Sequence, residues 1–332
     1  MPEIGILLIL IVVAALAFDY INGFHDTANA IATVVSTRVL TPLQAICMAA
    51  FLNFVGALVA TRVAHTIASG IIQPTSATET VVLAAIVGGI AWNLITWAGG
   101  IPSSSSHALI GGLCGAGAAH AGINAIQWKG IFNKVLVPLI ASPIAGFVVG
   151  LAIMSLITVL FHSAHPRRAG GAFRTLQKLS AAAMAFSHGQ NDAQKSMGVI
   201  TLALFTHGLL KKPDVPMWVI LACAATMALG TAAGGWRIIR TMGHRIMRME
   251  PVNGFAAETS GATVIMLASY LGAPVSTTHV LAGSIFGVGA SKGKHAVRWT
   301  VARQMVIAWF LTIPAAAAVS AIAYFALSLF KL

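Results

Sequence analysis

The stretch IPSSSSHALIG, residues 101–111, returns in altered form as APVSTTHVLAG, residues 273–283. In each copy a proline and a cluster of hydroxyl residues precede a histidine, and equivalent residues lie 172 positions apart. Proline favours the first position of a helix, and serine favours its cap. Each copy therefore predicts the start of a short helix whose amide and hydroxyl groups can face an oxyanion. A repeated anion site of this kind is typical of a carrier with one central site.

The composition places both copies in a membrane protein. Of the 332 residues, 58 % are hydrophobic and only 8 % are charged, whereas soluble domains carry about 25 % charged residues. The first apolar run, residues 4–18, lacks a basic leader and a cleavage pattern, so we interpret it as a retained span. Cys47, Cys114 and Cys223 have neither metal-binding nor disulfide spacing.

Apolar segments predict ten crossings of the membrane. They lie near residues 4–22, 40–61, 80–98, 101–117, 135–161, 180–206, 217–235, 255–272, 273–289 and 300–330. We therefore predict an all-α polytopic membrane protein with an N-terminal repeat (1–161), a basic cytoplasmic linker (162–178) and a C-terminal repeat (179–332). Because each repeat has about five crossings, an odd number, the two should have inverted topology, with re-entrant or broken helical hairpins at the midplane.

The charge distribution predicts the orientation. The net charge is +12, and basic residues are typical of cytoplasmic loops. With both termini outside, twelve basic residues fall on the cytoplasmic side: Arg38, Arg167, Arg168, Arg174, Lys178, Arg237, Arg240, Arg245, Arg248, Lys292, Lys294 and Arg298. Six fall outside: Arg62, Lys129, Lys134, Lys211, Lys212 and Lys331. No soluble module is present to bind nucleic acid, so we expect membrane lipid as the surroundings and no nucleic-acid partner.

A second pair of matching segments carries acidic residues. NGFHDTANA, residues 22–30, corresponds to SHGQNDAQK, residues 187–195, and RVAHTI, 62–67, corresponds to RIIRTM, 237–242. A carboxylate at membrane depth is costly unless it is paired, protonated or bound to a cation. Asp26 and Asn29, one helical turn apart, could bind Na⁺ or a divalent ion, or a proton. The other candidates for cation or proton coupling are Asp192, Glu79, Glu258 and His25.

Neutral donors suit reversible binding of an oxyanion. The hydroxyl clusters supply Ser104, Ser105, Ser106, Ser276, Thr277 and Thr278 as candidate phosphate or sulfate ligands, although they could also be simple helix caps. Supporting candidates are Asn191, Lys195, His107 and His279. Lys195 could neutralise Asp192 or meet the anion. The small-residue patterns at Gly111/Gly115 and Gly283/Gly287 predict close helix packing.

At these residues the chain resembles the inorganic phosphate transporter (PiT) family over nearly its whole length. The family signature is a duplicated G-x-N-D-x-A-N-like segment, followed in each half by a serine/threonine hairpin. This chain has His25 where the signature has Asn, and Gln194-Lys195 where it has Ala-Asn. Both departures are typical of the bacterial low-affinity branch, which is described as proton-driven and as carrying phosphate with a divalent metal.

The resemblance implies a symporter of the bacterial inner membrane that binds phosphate between the hairpin tips and is coupled to H⁺ or Na⁺. It implies no enzymatic activity and no resident cofactor. It leaves open a homodimer and the transport of a metal–phosphate complex. The alternatives are a sulfate permease of the same fold and, from other functional classes, an anion channel or an intramembrane hydrolase.

Overall fold

The computed structural model describes residues 5–73, 76–163, 165–293 and 295–329. Lys294 and Lys331, which belong to the predicted charge distribution, lie outside these ranges. The first half contains α1 (Ile6–Ser36), α2 (Pro42–Ala57), α3 (Arg62–Gly70), α4 (Glu79–Ala98), α5 (Ser105–Ala121), α6 (Trp128–Ile131) and α7 (Val137–Leu160). The second half contains α8 (Pro166–Thr206), α9 (Met217–Ala233), α10 (Trp236–Arg240), α11 (Pro251–Tyr270), α12 (Thr277–Ser291) and α13 (Trp299–Leu329). Across the described ranges the architecture is all-α.

The helices follow the same order in both halves. A long helix, α1 or α8, comes first, and a bent pair of helices follows it. The bend is 67° between α2 and α3, and 61° between α9 and the segment that contains α10. Next comes a helical hairpin, which we call hairpin 1 (α4–α5) and hairpin 2 (α11–α12). Each half ends on a long apolar segment, α6–α7 or α13. The described order agrees with a duplicated sequence, and the inverted orientation of the halves stays a prediction.

The described helices differ from the ten predicted crossings. By length and hydropathy four of them could each span a membrane: α1, α4, the continuous segment Trp128–Leu160 and α13. The two bent pairs raise this count to six. The four predicted crossings outside this count correspond to α5, α8, α11 and α12, which do not meet the same criteria of length and hydropathy. Large exposed apolar side chains, such as Phe51, Leu160 and Phe310, cover the outer surface, as expected for contact with lipid.

The predicted linker at 162–178 is mostly helical. The 41-residue helix α8 begins at Pro166 and includes all but the first few residues of that segment. Proline is favoured in the first turn of a helix, and Gln177 on this part of α8 is fully buried. The basic residues Arg174 and Lys178 therefore lie on a helix that continues into the second half, and the boundary between the two halves stays a prediction.

Both hydroxyl motifs begin a helix, three positions later than the sequence suggested, at Ser105 and at Thr277. We expected Pro102 and Pro274 at the first helical position. Instead Ser104 is the N-cap of α5, and its Oγ accepts a hydrogen bond from the amide of His107 at 3.2 Å. Ser276 caps α12 in the same way through the amide of His279 at 3.2 Å. The serine cap, rather than the proline, sets the helix start because it satisfies an amide that the helix leaves unpaired.

Each hairpin packs against the last helix of the opposite half. Hairpin 1 packs against α13, and hairpin 2 packs against α7. The small residues make this approach close: a Cβ at Gly115 would lie 2.1 Å from the carbonyl oxygen of Ala317, and one at Gly287 would lie 2.0 Å from that of Phe147. The predicted close packing at the glycine patterns is therefore confirmed.

The tip of each hairpin contacts an arginine of the other half. Arg237 Nη1 donates to the carbonyl oxygen of Ala98 at 2.7 Å, and its guanidinium lies 5.0 Å from the ring of Trp97. Arg62 Nη1 donates to the carbonyl oxygen of Tyr270 at 2.7 Å, and the guanidinium of Arg62 lies 4.5 Å from the ring of that residue. The matched segments 62–67 and 237–242 therefore make equivalent contacts on the two tips.

Candidate functional site

The two hairpin tips meet at the centre of the molecule. Ser106 Oγ of hairpin 1 donates to the carbonyl oxygen of Val275 in hairpin 2 at 3.0 Å. The imidazole rings of His107 and His279 lie 4.9 Å apart, and His279 also stacks on Trp309 at 4.0 Å. Because α5 and α12 both begin at this point, two helix N-termini with partial positive charge lie beside each other. This arrangement favours an anion.

Helix α1 contributes Asp26, His25 and Asn29 to the same region. His25 Nδ1 lies 2.6 Å from Asp26 Oδ1, and this pair is buried. Asn29 Nδ2 donates to the hydroxyl oxygens of Thr277 and Thr278 at 3.1 and 2.9 Å. The acidic motif of the first half therefore contacts the hydroxyl motif of the second half.

Helix α8 contributes the matching acidic motif. Lys195 Nζ lies 2.6 Å from Asp192 Oδ1, and both side chains are at most 1 % exposed. Thr277 Oγ1 donates to Asp192 Oδ2 at 3.3 Å, while His188 Nε2 lies 3.5 Å from the same oxygen. Asn191 Nδ2 donates to Ser269 Oγ at 2.9 Å and to the carbonyl oxygen of Ala273, at the tip of hairpin 2, at 3.4 Å. The ammonium group thus fills a position beside Asp192 that a bound cation would otherwise take.

The six predicted hydroxyl ligands have three different roles in the structure. Ser104 and Ser276 cap their helices, so their oxygens accept backbone hydrogen bonds. Ser106 joins the two tips. Ser105 and Thr278 face Asp26, at 3.4 and 3.5 Å from its carboxylate oxygens, and Thr277 lies between Asn29 and Asp192. Ser105, Thr277 and Thr278 are thus the three hydroxyls that neither cap a helix nor join the tips.

The two central carboxylates are close to each other. Ligand atoms of Asp26, His188 and Asp192 lie within 4.8 Å of one another, and all three side chains are buried. Such a set could share a cation, but His25 and Lys195 already lie 2.6 Å from the two aspartates. Buried charges are stable only when they are paired. The chain therefore supplies partners of its own for both carboxylates.

Glu258 is buried, but it belongs to a separate polar cluster. Its carboxylate accepts hydrogen bonds from Thr33 Oγ1, from Gln177 Nε2 at 3.2 Å and from Ser180 Oγ at 2.5 Å. Thr33 lies two helical turns beyond Asp26 on α1, about 10 Å along the helix axis. The structure thus places Glu258 near the central site without direct contact, and its role in coupling stays a prediction.

Glu79 lies away from the other predicted site residues. It is the first residue of α4, where Thr78 is the N-cap, and its carboxylate pairs with His207 Nδ1. His207 follows the C-terminal end of α8 and is 15 residues from Asp192, or about 22 Å along a helix. The structure does not bring Glu79 together with Asp26 and Asp192, because the start of α4 lies at the far end of the hairpin from its tip.

Several buried polar residues around the site were not among the predicted site residues. Thr96 and Ser103 of hairpin 1 continue the contacts of His25: its Nε2 lies 3.2 Å from Thr96 Oγ1, to which Ser103 Oγ donates at 2.8 Å. Gln177 and Ser180 reach Glu258, and Ser196 reaches Asp19. Sequence reasoning missed most of them because single polar residues in apolar helices carry no pattern. Ser103, in contrast, stands in the first hydroxyl cluster, and that signal could have found it. Two of them, Gln177 and Ser180, also flank the end of the segment interpreted as a linker.

The chain is similar in sequence to known proteins. The sequence model described as "Phosphate transporter family" matches residues 22–170 and 161–320. The chain is 51 % identical to a "Probable low-affinity inorganic phosphate transporter" of Bacillus subtilis, over 98 % of each chain. It is 49 % identical to a protein of the same description from Rhizobium meliloti, over 97 % of each chain.

A solved structure has the same fold. The chain resembles "The sodium-dependent phosphate transporter" with a TM-score of 0.90 and 27 % sequence identity, over 98 % of this chain and all of the other. The agreement covers the hairpins as well as the long helices, because nearly every residue of both chains is included.

Proposed function

The chain belongs to the phosphate transporter family, and from that premise we propose that it is a symporter that imports inorganic phosphate together with protons by alternating access. Membership in this family makes the chain a membrane transporter rather than an enzyme. The proposal adds the coupling ion, the binding residues and the direction of transport.

Phosphate is proposed to bind between the hairpin tips. Support comes from the paired N-termini of α5 and α12 and from the hydroxyls of Ser105, Thr277 and Thr278, which are buried beside both tips. Uncharged donors at helix N-termini bind oxyanions without the strong retention of an arginine cage. A hydrogen phosphate can also donate a proton to a neighbouring carboxylate, which sulfate at neutral pH cannot do.

One observation carries the proposal of proton coupling. Each of the two central carboxylates lies 2.6 Å from a basic side chain of the protein itself. Asp26 Oδ1 lies at this distance from His25 Nδ1, and Asp192 Oδ1 from Lys195 Nζ. A sodium ion at either carboxylate would have to displace that partner or lie beside another positive charge. Histidine exchanges protons near physiological pH. The site is thus suited to a proton as the coupling ion.

Sodium is the second candidate, since the solved relative is described as sodium-dependent. The sites of the two proteins need not bind the same ion at 27 % identity. A divalent metal carried with phosphate would use the oxygens of the substrate as well as those of the protein. Sulfate remains the alternative substrate.

The two halves of the chain are proposed to be the structural units of alternating access. Each half supplies one hairpin, one long helix with an acidic motif and one bent pair, which agrees with inverted repeats about a central site. We place the protein in the bacterial inner membrane with both termini outside, since the basic residues then lie on the cytoplasmic side.

The test is uptake of radiolabelled phosphate into proteoliposomes under one imposed gradient at a time. An inward proton gradient should drive phosphate above its equilibrium level, and an inward sodium gradient at equal pH should not. Excess sulfate should leave the uptake unchanged. Concentrative uptake driven by sodium alone would contradict proton coupling, and full competition by sulfate would favour the permease alternative. Downhill flux that ignores both gradients would exclude a symporter.

A further inference from the structure

One face of α1 changes from apolar to polar within a single turn. Residues spaced by three and four positions lie on the same face of a helix. On this face the first members belong to an apolar core cluster: Leu8, Ile11, Ala15 and Phe18. The next members are polar and at most 3 % exposed: Asp19, Asn22, Asp26, Asn29 and Thr33. The polar stripe, as we call this second set, is about 21 Å long and begins at Asp19.

Asp19 is a buried carboxylate with one hydrogen-bond donor. It has no exposed surface. Ser196 Oγ donates to Asp19 Oδ1 at 2.9 Å, and Oδ2 has no hydrogen-bond partner among the described residues. The titratable groups within electrostatic reach are Asp192 and Lys195 on α8 and the thiol of Cys223 on α9. Asp19 thus lies between the apolar cluster and the central site, and the transport steps proposed above do not use it.

Two asparagines occupy the gap between Asp19 and Asp26. His25 on α1 lies beside Thr96 on α4, 71 positions later, and the ring of Phe18 packs on Gly89 with the same offset. That offset places Asn93 beside Asn22. Both side chains are fully buried, and their amide oxygens and nitrogens have no hydrogen-bond partner among the described residues. Buried polar groups of this kind in proteins bind water.

We propose that Asp19 is the group through which the coupling proton enters the central site from the side of the membrane on which α1 begins. The inference rests on the proton coupling proposed above. When the apolar cluster separates on that side, Asp19 is the first fully buried carboxylate that water reaches. Its carboxylate takes a proton from a hydronium ion in that water, which leaves a water molecule, and becomes a carboxylic acid. It then releases the proton to hydrogen phosphate in the central site, which becomes dihydrogen phosphate, and the carboxylate is restored.

The distance requires an intermediate. Asp19 and Asp26 are two helical turns apart, about 10 Å, which is too far for direct transfer. The unpartnered amides of Asn22 and Asn93 lie between them and can hold a bridging water molecule. A metal cation fits this position less well. Hard cations take six or more oxygen ligands, whereas the described contacts of Asp19 supply its own carboxylate and one hydroxyl, and the positive charge of Lys195 is close.

The test compares net uptake with exchange in proteoliposomes. Asp19→Asn should reduce phosphate uptake driven by a proton gradient roughly a hundredfold, the scale of a lost acid–base group. The same variant should keep exchange of internal for external phosphate at equal pH, because exchange needs no net movement of protons. Asp19→Glu should restore most of the gradient-driven uptake. Cys223→Ala, close to Asp19 on α9, is the matched control and should behave as the wild type.

The outcomes separate this inference from the proposed function. If phosphate uptake by the wild-type protein is driven by a sodium gradient and not by a proton gradient, both the proton coupling and the role of Asp19 are overturned. No variant is needed for this result. Normal gradient-driven uptake by Asp19→Asn would overturn the role of Asp19 alone, as would equal loss of uptake and exchange in a folded variant. Should Asp19→Asn not fold, Ser196→Ala, which removes only the hydroxyl donor, replaces it. A pH profile of net uptake identical to that of the wild type would then overturn the inference.

Discussion

Lys195 is among the largest side chains that the structure buries completely, and its charge depends on one partner. Its ammonium lies 2.6 Å from Asp192 Oδ1, and taking an ion pair out of water is favourable only if the pair is complete. Removing either member leaves an isolated charge. The ammonium of Lys195 therefore neutralises the carboxylate of Asp192. In a site without a lysine, a sodium ion would have to supply this positive charge.

This balance predicts the behaviour of Lys195→Ala. The variant should lose about 3–5 kcal/mol of stability, the cost of leaving a buried charge unpaired. Sodium chloride should restore part of that loss because Na⁺ can enter beside Asp192, whereas the larger choline cation should not. Thermal melting of the detergent-solubilised protein in the two salts measures both effects. Lys211→Ala, at an exposed lysine, is the control, and equal melting curves for both variants would contradict the prediction.

Duplication made part of the site predictable at this scale. Asp26, Asn29 and Asp192 and the two hydroxyl clusters stand in matching segments, and the structure brings these segments into contact. Glu79 and Glu258 were selected because both precede a hydroxyl motif. Their positions differ, since Glu79 begins a hairpin arm and Glu258 lies within one. The depth of a residue along an arm depends on where the tip folds back, which the sequence does not state.

The hairpins are the elements whose packing is most constrained. Each one ends at a tip with a glycine of positive φ, Gly100 at +61° and Gly272 at +70°, a conformation that favours glycine. The arms carry glycines that let the backbone of α7 or α13 approach within contact distance. That a helix begins at each motif was predictable, whereas its first residue was not, because the serine cap and not the proline sets it. The helix against which each arm packs was not, because an apolar face with small residues fits several others.

Two glycine substitutions separate packing from helix propensity. Gly115→Ala should lower stability by about 1–3 kcal/mol, the cost of overpacking, because the new Cβ would lie 2.1 Å from a backbone oxygen of α13. Gly170→Ala, on the first turns of α8, has nothing within 4 Å of its Cβ. It should leave stability unchanged or raise it by up to about 1 kcal/mol. Thermal denaturation of both variants decides, and equal effects would contradict the packing argument.

At the scale of the whole molecule the two halves are interleaved. Hairpin 1 packs on α13, hairpin 2 packs on α7, and α8 packs along α2. The central site takes hydroxyls and carboxylates from both halves. The duplicated order of segments was predictable from the sequence, whereas the exchange of hairpins between the halves was not, since repeats can equally pack within themselves.

Interleaving predicts how a divided chain behaves. Residues 1–161 and 162–332, expressed separately, should each fail to transport phosphate, because each lacks the last helix of the opposite half, on which its hairpin packs, and neither holds a whole site. Co-expressed in the same cell, they should restore a measurable fraction of uptake. Phosphate uptake and co-purification of a tagged half with the untagged half test this. The uncut chain is the control, and transport by either half alone would contradict the interleaved arrangement.

The exchange of hairpins also has a consequence for synthesis. The arm of α5 that carries Gly115 leaves the ribosome about 200 residues before its partner Ala317 does. At about 5–20 residues per second, that arm waits roughly 10–40 s in the bilayer with its glycine face unpaired. The arm α12 has no such delay, because α7, the helix on which it packs, is synthesised before it. Hairpin 1 is thus the part of the molecule that most needs a holding partner, such as an insertion factor or lipid, while the chain is still growing.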